Sequence, residues 1–343
     1  MTERFDVCVV GAGMTGRLMA LSLHHAGLKV EQVDRRAPAE PVIDGRTTAL
    51  AYASVRLFKR LGLWKALQDE AAPIADILVS SGEPRAAFRS DVGLVVACDG
   101  RSSPLRALTK LPALKWNYPQ TAIIFNVAHE KPHQGVAHEV FYPDGPFAIL
   151  PMKDNHCSIV WTEQNKAAKA FLAMDDDAFR DAAQARIGDH LGHITLASER
   201  QSYPLSFLYA PRLVSERFVL AGDAAHGLHP IAGQGFNLGV KDVAALCQTL
   251  DDAKAAGLDI GHGSVLAGYD RWRRFDGASM ALGTDVLNRL FSNRFGPLKH
   301  VRGLGLGVVQ QSSAARRFFM RISGADLGEL PALMQPIDQP TGP

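Results

Sequence analysis

Residues 5–34 read FDVCVVGAGMTGRLMALSLHHAGLKVEQVD and place a glycine-rich loop between two apolar runs. The first run, residues 5–10, predicts a buried parallel strand, and the residues after the loop predict a helix that ends at Gly27. The second run, residues 28–33, predicts another strand, which ends at Asp34. The stretch therefore predicts a strand–helix–strand unit, the building block of a parallel α/β sheet.

The loop has the pattern GxGxxG, and its six residues are Gly11, Ala12, Gly13, Met14, Thr15 and Gly16. The first glycine permits a tight turn, the second lets the backbone approach a diphosphate, and the third lets the helix pack on the strand. A diphosphate there would lie at the positive end of the helix dipole. Asp34 follows Gly16 by eighteen positions, where a carboxylate can accept hydrogen bonds from both hydroxyls of an adenosine ribose. The pattern predicts a dinucleotide site that disfavours a 2′-phosphate.

A second glycine-rich segment, residues 221–237, reads AGDAAHGLHPIAGQGFN and follows a predicted buried strand. Asp223 suits a sugar-alcohol chain such as ribityl, and the helix that opens at the glycines could stabilise negative charge on a reduced flavin ring. His226 and His229 also allow a metal-site interpretation. Because no carboxylate or cysteine cluster accompanies them, we predict no metal there.

A third motif, residues 99–106, reads DGRSSPLR directly after a predicted strand at residues 92–98. Read alone, it fits either a plain turn with a helix capped by Ser102 or Ser103, or a ligand-binding loop. Short β-like runs between residues 121 and 162 predict an antiparallel sheet inserted into the α/β framework.

The bulk composition excludes several classes of protein. The chain has 343 residues, is 47% hydrophobic and has a formal net charge of +2. It is long enough for a sizeable core and lacks the strongly basic character of a nucleic-acid-binding domain. Its longest uncharged stretch, residues 224–240, contains a proline and four glycines and does not predict a membrane span. Four scattered cysteines and the acidic N-terminus predict reduced thiols in a cytoplasmic protein without a signal peptide.

Together the three motifs resemble the single-component (class A) flavoprotein aromatic hydroxylases, where they occur in the same order. DGRTTAL at residues 44–50 and RFGPLKHVRGLGL at residues 294–306 look most like the ubiquinone-biosynthesis branch, the polyprenylphenol hydroxylases. The resemblance implies an FAD-dependent monooxygenase that hydroxylates a phenolic, polyprenylated ring with NAD(P)H and O2. It implies no permanent NAD(P)H site, and we name no catalytic acid or base.

The resemblance also implies a role for individual residues. FAD diphosphate would lie at the glycine loop, the adenosine ribose at Asp34, and the isoalloxazine ring at residues 230–237. Asp99 and Arg106 would serve both FAD and the passing NAD(P)H. The implied cofactor-binding residues are Gly11, Ala12, Gly13, Met14, Thr15, Gly16, Asp34, Arg35, Arg46, Asp99, Arg106, Gly222, Asp223, Pro230, Gly233, Gln234, Gly235, Phe236 and Asn237.

The implied fold class is α/β, with an FAD-binding Rossmann-like domain, an inserted mixed or antiparallel β-sheet substrate domain and a C-terminal helical tail. The predicted boundaries are 1–80, 91–115 and 200–250 for the FAD-binding domain, 81–90 and 116–199 for the substrate-side sheet, and 251–343 for the tail. On the sheet, His138, Tyr142 and His156 are better explained as ordinary strand residues than as catalytic groups. The histidines at 129, 133 and 138 fit a polar loop better than a metal cluster.

The sequence departs from this family between Ser81 and Val92. Family members carry several dozen more residues here, including a strand that touches the adenine, an arginine-bearing helix and part of the substrate sheet. Because part of the FAD pocket wall is missing, we expect weakened FAD binding. The missing segment also leaves open a catalytically weak scaffold protein in a quinone-biosynthesis assembly. A same-fold FAD oxidase or reductase is the other alternative.

The tail has a one-sided charge. From Val286 to Ala325 there are seven Lys or Arg residues and no Asp or Glu. One interpretation is a helix with a solvated basic face. The other is a surface that docks on anionic lipid or an acidic partner, which would make the protein peripheral on an inner membrane.

Overall fold

A computed structural model describes residues 5–34, 48, 50–71, 92–229, 234–291 and 330–335 of the chain. Four predicted cofactor-binding residues, Arg35, Arg46, Pro230 and Gly233, lie outside the described residues, as does the side chain of Gln234. In chain order, the strands and helices are β1 (Phe5–Val10), α1 (Met14–His25), β2 (Val30–Val33), α2 (Tyr52–Arg60), α3 (Trp64–Leu67), β3 (Val92–Ala97), α4 (Pro104–Leu108), β4 (Leu114–His129), β5 (His138–Tyr142), β6 (Gly145–Pro151), β7 (His156–Gln164), α5 (Asn165–Leu172), α6 (Asp176–Ile187), β8 (Ile194–Leu196), β9 (Gln201–Tyr209), β10 (Val214–Ser215), β11 (Phe218–Leu220), β12 (His226–Gly227), α7 (Gln234–Ala255) and α8 (Gly263–Phe291).

The predicted strand–helix–strand unit forms the centre of the first sheet. Within the described residues this sheet has five strands in the order β10-β11-β3-β1-β2. Strands β11, β3, β1 and β2 run parallel, and β10 is antiparallel at one edge. Helix α1 ends as predicted, because Gly27 takes a left-handed φ of 77° that other residues rarely adopt. The carboxyl ends of β1, β3 and β11 therefore deliver all three motifs to one edge of the sheet.

The second sheet is antiparallel, as the short runs predict. In the described part of the chain it has seven strands, ordered β12-β9-β4-β7-β6-β5, with β8 also paired to β4. Its long central strand β4 pairs with β7 on one side and β9 on the other. The domain boundaries stay a prediction, but β9 adds residues 201–209 to this sheet. Their backbone finds its hydrogen-bond partners on β4, whatever the local pattern suggests.

Three hydrophobic clusters hold the layers together. The largest lies where α1 and α7 pack against each other and against the five-stranded sheet, with Leu23, Val96 and Leu246 fully buried. A second covers one face of the larger sheet with α5 and α6. The third lies on the opposite face, where Tyr118 and Phe207 of the sheet meet Leu238 of α7 and Ala281 of α8. This third cluster connects the larger sheet to the five-stranded sheet through α7, which packs in both clusters. It lies next to the late glycine-rich motif.

Candidate functional site

The glycine loop has the geometry that its sequence predicts. A Cβ atom at Gly16 would lie 1.9 Å from the carbonyl oxygen of Gly11, and one at Gly11 would lie 2.5 Å from the carbonyl oxygen of Cys98. Gly11 also has a φ of 106°. At Gly13, in contrast, a Cβ would meet no described atom within 4 Å. Gly11 and Gly16 therefore let the loop pack closely, whereas Gly13 leaves the outer face of the loop open.

The open face coincides with the N-terminus of α1. Gly13 is the N-cap of this helix and offers no side chain to its first N–H groups. The Asp34 carboxylate lies at the same loop, where its Oδ2 accepts a hydrogen bond of 2.7 Å from the Ala12 N–H. Asp34 thus stands beside the place where a diphosphate would meet the helix dipole, as the sequence predicts for a ribose ligand.

The late motif packs directly on this loop. Gly222 has a φ of 61°, and a Cβ there would lie 2.9 Å from Cγ2 of Thr15. At Gly239, on α7, a Cβ would lie 3.0 Å from Oγ1 of the same threonine. The loop at the start of α1, the turn before β12 and the first turns of α7 therefore meet around Thr15.

The middle motif, residues 99–106, contacts the late motif, residues 221–237, through buried hydrogen bonds. Arg101 is 1% exposed and donates hydrogen bonds to the Leu228 carbonyl at 2.7 Å and the Ser206 carbonyl at 2.9 Å. Its Nε lies 3.3 Å from Oδ2 of Asp223, with which it forms an ion pair. Arg101 belongs to the DGRSSPLR motif, but the motif alone predicts no role for this residue. These contacts show that Arg101 links the middle motif to the late motif.

Arg106 of the middle motif is also buried. It donates hydrogen bonds of 2.6 Å to the carbonyls of Ala224 and Arg101. Ser103 caps α4 by accepting a bond from the Arg106 N–H, so the turn-and-capped-helix interpretation describes the local structure. A direct contact of Arg106 with FAD or NAD(P)H stays a prediction.

Asp99 closes the same turn. One of its carboxylate oxygens accepts a hydrogen bond from the Leu105 N–H at 3.3 Å. Burial raises the pKa of Asp99 above the ordinary value, although the bonds from Ser103 and Leu105 and the nearby Arg106 charge act in the opposite direction.

A buried carboxylate that the motifs did not point to lies behind the late motif. Asp242 is fully buried on α7 and accepts hydrogen bonds of 2.8 Å from the Gly222 N–H and from Nε of Arg273. The same carboxylate lies 3.3 Å from Nε2 of His226. Burial alone would raise the pKa of Asp242, but His226 and Arg273 together hold it below its ordinary value. The available sequence signal was a lone Asp within an apolar helix face, VKDVAALC.

The end of the late motif ties α7 to α2. The Asn237 side chain is buried, and its Oδ1 accepts hydrogen bonds from the Ala51 N–H at 3.0 Å and from Oγ of Ser54 at 2.8 Å. Gly235 and Phe236 precede it in the first turn of α7, half-buried. Asn237 therefore anchors the start of this helix, and contact with a flavin ring stays a prediction for all three.

The layer between the larger sheet and α8 is aromatic and polar. The His229 ring meets the Tyr118 ring edge-on, with ring centroids 5.0 Å apart. Tyr118 donates a hydrogen bond of 2.7 Å from its hydroxyl to Asp285 on α8. Burial, helped by the nearby Arg101 charge, lowers the pKa of His229 from 6.5 to about 3. His229 is therefore a neutral imidazole at physiological pH.

This shift predicts acid sensitivity. The unfolded chain takes up a proton at His229 near pH 6.5, whereas the folded chain does so only near pH 3. The free energy of unfolding should therefore fall as the pH is lowered through this window, by at most about 1.4 kcal/mol per pH unit. In urea titrations at several pH values, His229→Gln should flatten this slope. The exposed His193→Gln should leave it unchanged, and equal slopes in all three proteins would contradict the assignment.

The histidines and the tyrosine that the sequence analysis set aside lie elsewhere on the sheet. The His129 and His133 rings are 5.6 Å apart, whereas His138 lies against His190 at 4.7 Å. Tyr142 packs in the second cluster, with the Arg186 guanidinium 4.4 Å from its ring centroid. Among the described residues, no group of three or more His, Cys, Asp or Glu could hold a metal ion. The structure does not bring these candidates to the three motifs.

Comparison with known proteins places this geometry in a family context. A model of the FAD binding domain family matches residues 4–93 and 67–274. The chain is 36% identical to the ubiquinone hydroxylase UbiL of Rhodospirillum rubrum, covering 92% of this chain and 88% of that protein. It is 28% identical to the 3-demethoxyubiquinol 3-hydroxylase of Escherichia coli, covering 91% and 96%. Among solved structures, p-nitrophenol 4-monooxygenase PnpA from Pseudomonas putida shares the fold, with a TM-score of 0.73, 17% identity and coverage of 95% and 99%.

Two details of these matches bear on the predicted missing segment. The family model matches this chain in two separate segments, which overlap between residues 67 and 93. Neither match runs through that region from one end of the domain to the other. The alignment with the Rhodospirillum protein runs over 379 positions, more than the 343 residues of this chain, so it contains gaps on this chain's side. Both details fit a segment near residue 90 that the family has and this chain lacks.

Proposed function

The chain belongs to the FAD binding domain family, and from that premise we propose that this FAD-dependent monooxygenase hydroxylates a phenolic, polyprenylated ring. The observation that carries the proposal is the assembly of all three motifs at one sheet edge, in a chain 36% identical to a ubiquinone hydroxylase. The substrate class follows from what the relatives act on. The oxygen comes from O2 and the electrons from NAD(P)H, as is typical of the class.

The geometry of the glycine loop supports FAD binding independently of the family resemblance. Gly13 offers an open backbone at the N-terminus of α1, where a Cβ would meet no described atom, and Asp34 stands beside it. An anionic diphosphate is the ligand that such a helix end prefers. We propose that the glycine loop and Asp34 hold the adenosine diphosphate half, and that Asp223 and residues 233–237 hold the flavin half.

FAD, when bound, would accept electrons from NAD(P)H and activate O2. The work left to this chain is to bind the cofactor, hold the phenol and exclude water. Arg101, which pairs with Asp223, fixes the turn that would face the flavin half. The buried layer around Tyr118 and His229 supplies an aromatic wall next to that turn.

The purified protein mixed with FAD tests the proposal. We expect a visible flavin spectrum that bleaches with NAD(P)H under nitrogen and returns in air. With ¹⁸O2 and a prenylated phenol, mass spectrometry should find one labelled oxygen in the product. Peroxide without labelled product would instead support an oxidase. A protein that stays flavin-free in excess FAD would support a scaffold role.

The missing segment predicts weak cofactor binding. Because part of the pocket wall is absent, we expect a higher Kd for FAD than that of the Rhodospirillum UbiL relative, by about tenfold, which is about 1.4 kcal/mol. Parallel fluorescence titrations of the two proteins measure the difference. Equal dissociation constants would show that the segment near residue 90 contributes nothing to affinity.

The cellular location of the enzyme and its contact with a membrane are also proposals. No helix in the described part of the chain is both long and apolar enough to cross a membrane. We propose a cytoplasmic protein that meets a membrane or a biosynthetic partner peripherally, supported by the basic sequence from 286 to 325. Most of that sequence lies outside the described residues, which include only its first part, at the end of α8.

A further inference from the structure

Helix α8 buries several polar side chains beside apolar ones such as Leu266, Tyr269 and Ala281, and exposes three large apolar side chains. Its buried side carries charged and polar groups: Asp270, Arg273, Thr284, Asp285 and Asn288 are each less than 9% exposed. Its outer side carries Phe275, Leu282 and Val286, which are 76%, 66% and 50% exposed. A helix that lay between a protein and water would show the opposite pattern.

The exposed apolar residues form one stripe. At 3.6 residues per turn, Phe275, Leu282 and Val286 fall within about 40° of one another around the helix axis. Arg271 begins the same stripe one turn earlier, and from there to Val286 it is about 22 Å long. Neighbouring exposed positions hold the small residues Ser279 and Gly283.

The charge on this outer side has a single sign. Among the described side chains of α8, the exposed charged residues are Arg271 and Arg274, and Arg274 also pairs with Asp270. Each described acidic residue of the helix, Asp270, Asp276 and Asp285, lies on the buried or half-buried side. The outer face thus combines large apolar side chains with arginines and presents no acidic group.

We propose that the outer face of α8, from Arg271 to Val286, docks on an anionic lipid bilayer. The apolar stripe would enter the headgroup region, and the arginines would meet lipid phosphates. The sequence that follows this face has the charge that an anionic bilayer attracts, because residues 286–325 contain seven basic and no acidic residues. This inference rests on the peripheral-membrane part of the proposed function and gives it a defined surface.

Vesicle flotation of the whole chain tests the surface directly. With vesicles of equal parts phosphatidylcholine and phosphatidylglycerol at low salt, we expect the wild type to float. The double variant Phe275→Ser/Leu282→Ser should lose at least tenfold in vesicle partitioning. Arg271→Gln should lose about fivefold and only with anionic vesicles. Leu108→Ser is the matched control, since Leu108 is 68% exposed on α4, outside this face.

Several results would overturn the inference. A wild type that stays unbound would overturn it, as would a double variant that floats as well as the Leu108→Ser control. A double variant that changes from dimer to monomer in size-exclusion chromatography would show a second copy on this face. A large fall in the variant's Tm would show that the chain's own residues cover it. Hydroxylation of a detergent-dispersed phenol, assayed in parallel, tests the proposed function separately, because flotation needs no turnover.

Discussion

Gly16→Ala should abolish FAD binding and lower the stability of the protein. The new Cβ would lie 1.9 Å from the Gly11 carbonyl oxygen, a backbone atom that cannot move aside without opening the turn. We expect a loss of about 3 kcal/mol in the free energy of unfolding, at the upper end of overpacking effects. Displacement of the start of α1 also removes the dipole that would meet the diphosphate. Thermal unfolding and FAD titration measure the two effects.

Gly13→Ala is the matched control that separates packing from ligand approach. A Cβ here meets no described atom within 4 Å, and the backbone φ of −69° suits alanine. The unfolding free energy without FAD should stay within about 1 kcal/mol, the range of an N-cap change. FAD affinity should nevertheless fall at least tenfold, because the methyl group occupies the open face. A variant with unchanged affinity would place the diphosphate elsewhere.

Asp242→Asn should have the second large effect, because it leaves a buried cation with half of its partners. Arg273 is 1% exposed and would keep one carboxylate partner, Asp276, whose Oδ2 lies 2.6 Å from Nη1, and a hydrogen bond of 3.4 Å to the Leu238 carbonyl. Breaking a buried ion pair in this way typically costs about 3–5 kcal/mol. The variant also weakens the bond to the Gly222 N–H, so the turn that presents Asp223 should loosen and FAD affinity should fall.

The control for this substitution lies on the same helix. Asp251→Asn removes an exposed carboxylate from α7 and should change the unfolding free energy by less than about 0.5 kcal/mol. The pH dependence gives a second check, because the folded pKa of Asp242 lies below its unfolded value. Its carboxylate stabilises the fold above about pH 4, and that contribution is lost as the pH falls through the folded pKa. A variant as stable as the wild type would contradict the network.

The Asp223 loop shows how far sequence reasoning reached. The motif predicted a carboxylate on a turn after a buried strand, and β11 followed by the turn at Gly222 confirms that placement. The pattern did not predict that Arg101 pairs with this carboxylate, 122 residues earlier in the chain. An arginine in a turn motif could pair with many different residues. Its partner is known only when the folded chain brings the two sheets together.

The same limit applies to the larger sheet. Short β-like runs with turn residues between them predicted its strands β4 to β7, because these signals lie within each strand's own residues. The addition of β9 and β12 was not predicted, since pairing depends on which backbone edge lies free in the folded chain. The buried charges of α8 were likewise not predicted, because Arg273 and Asp285 find their partners Asp242 and Tyr118 only in the folded chain.

The sequence by itself determined the dinucleotide loop and its strand–helix–strand unit. There, each requirement is local: a left-handed φ, a missing Cβ and a helix start within six consecutive residues. Only the tertiary structure decided the contact of Thr15 with Gly222, which joins the loop to the late motif, and the pairing of Asp242 with Arg273 behind that motif. Their partners lie far apart in sequence, and burial gives them their energy. A buried charge or a close backbone approach exists only once the layers have packed.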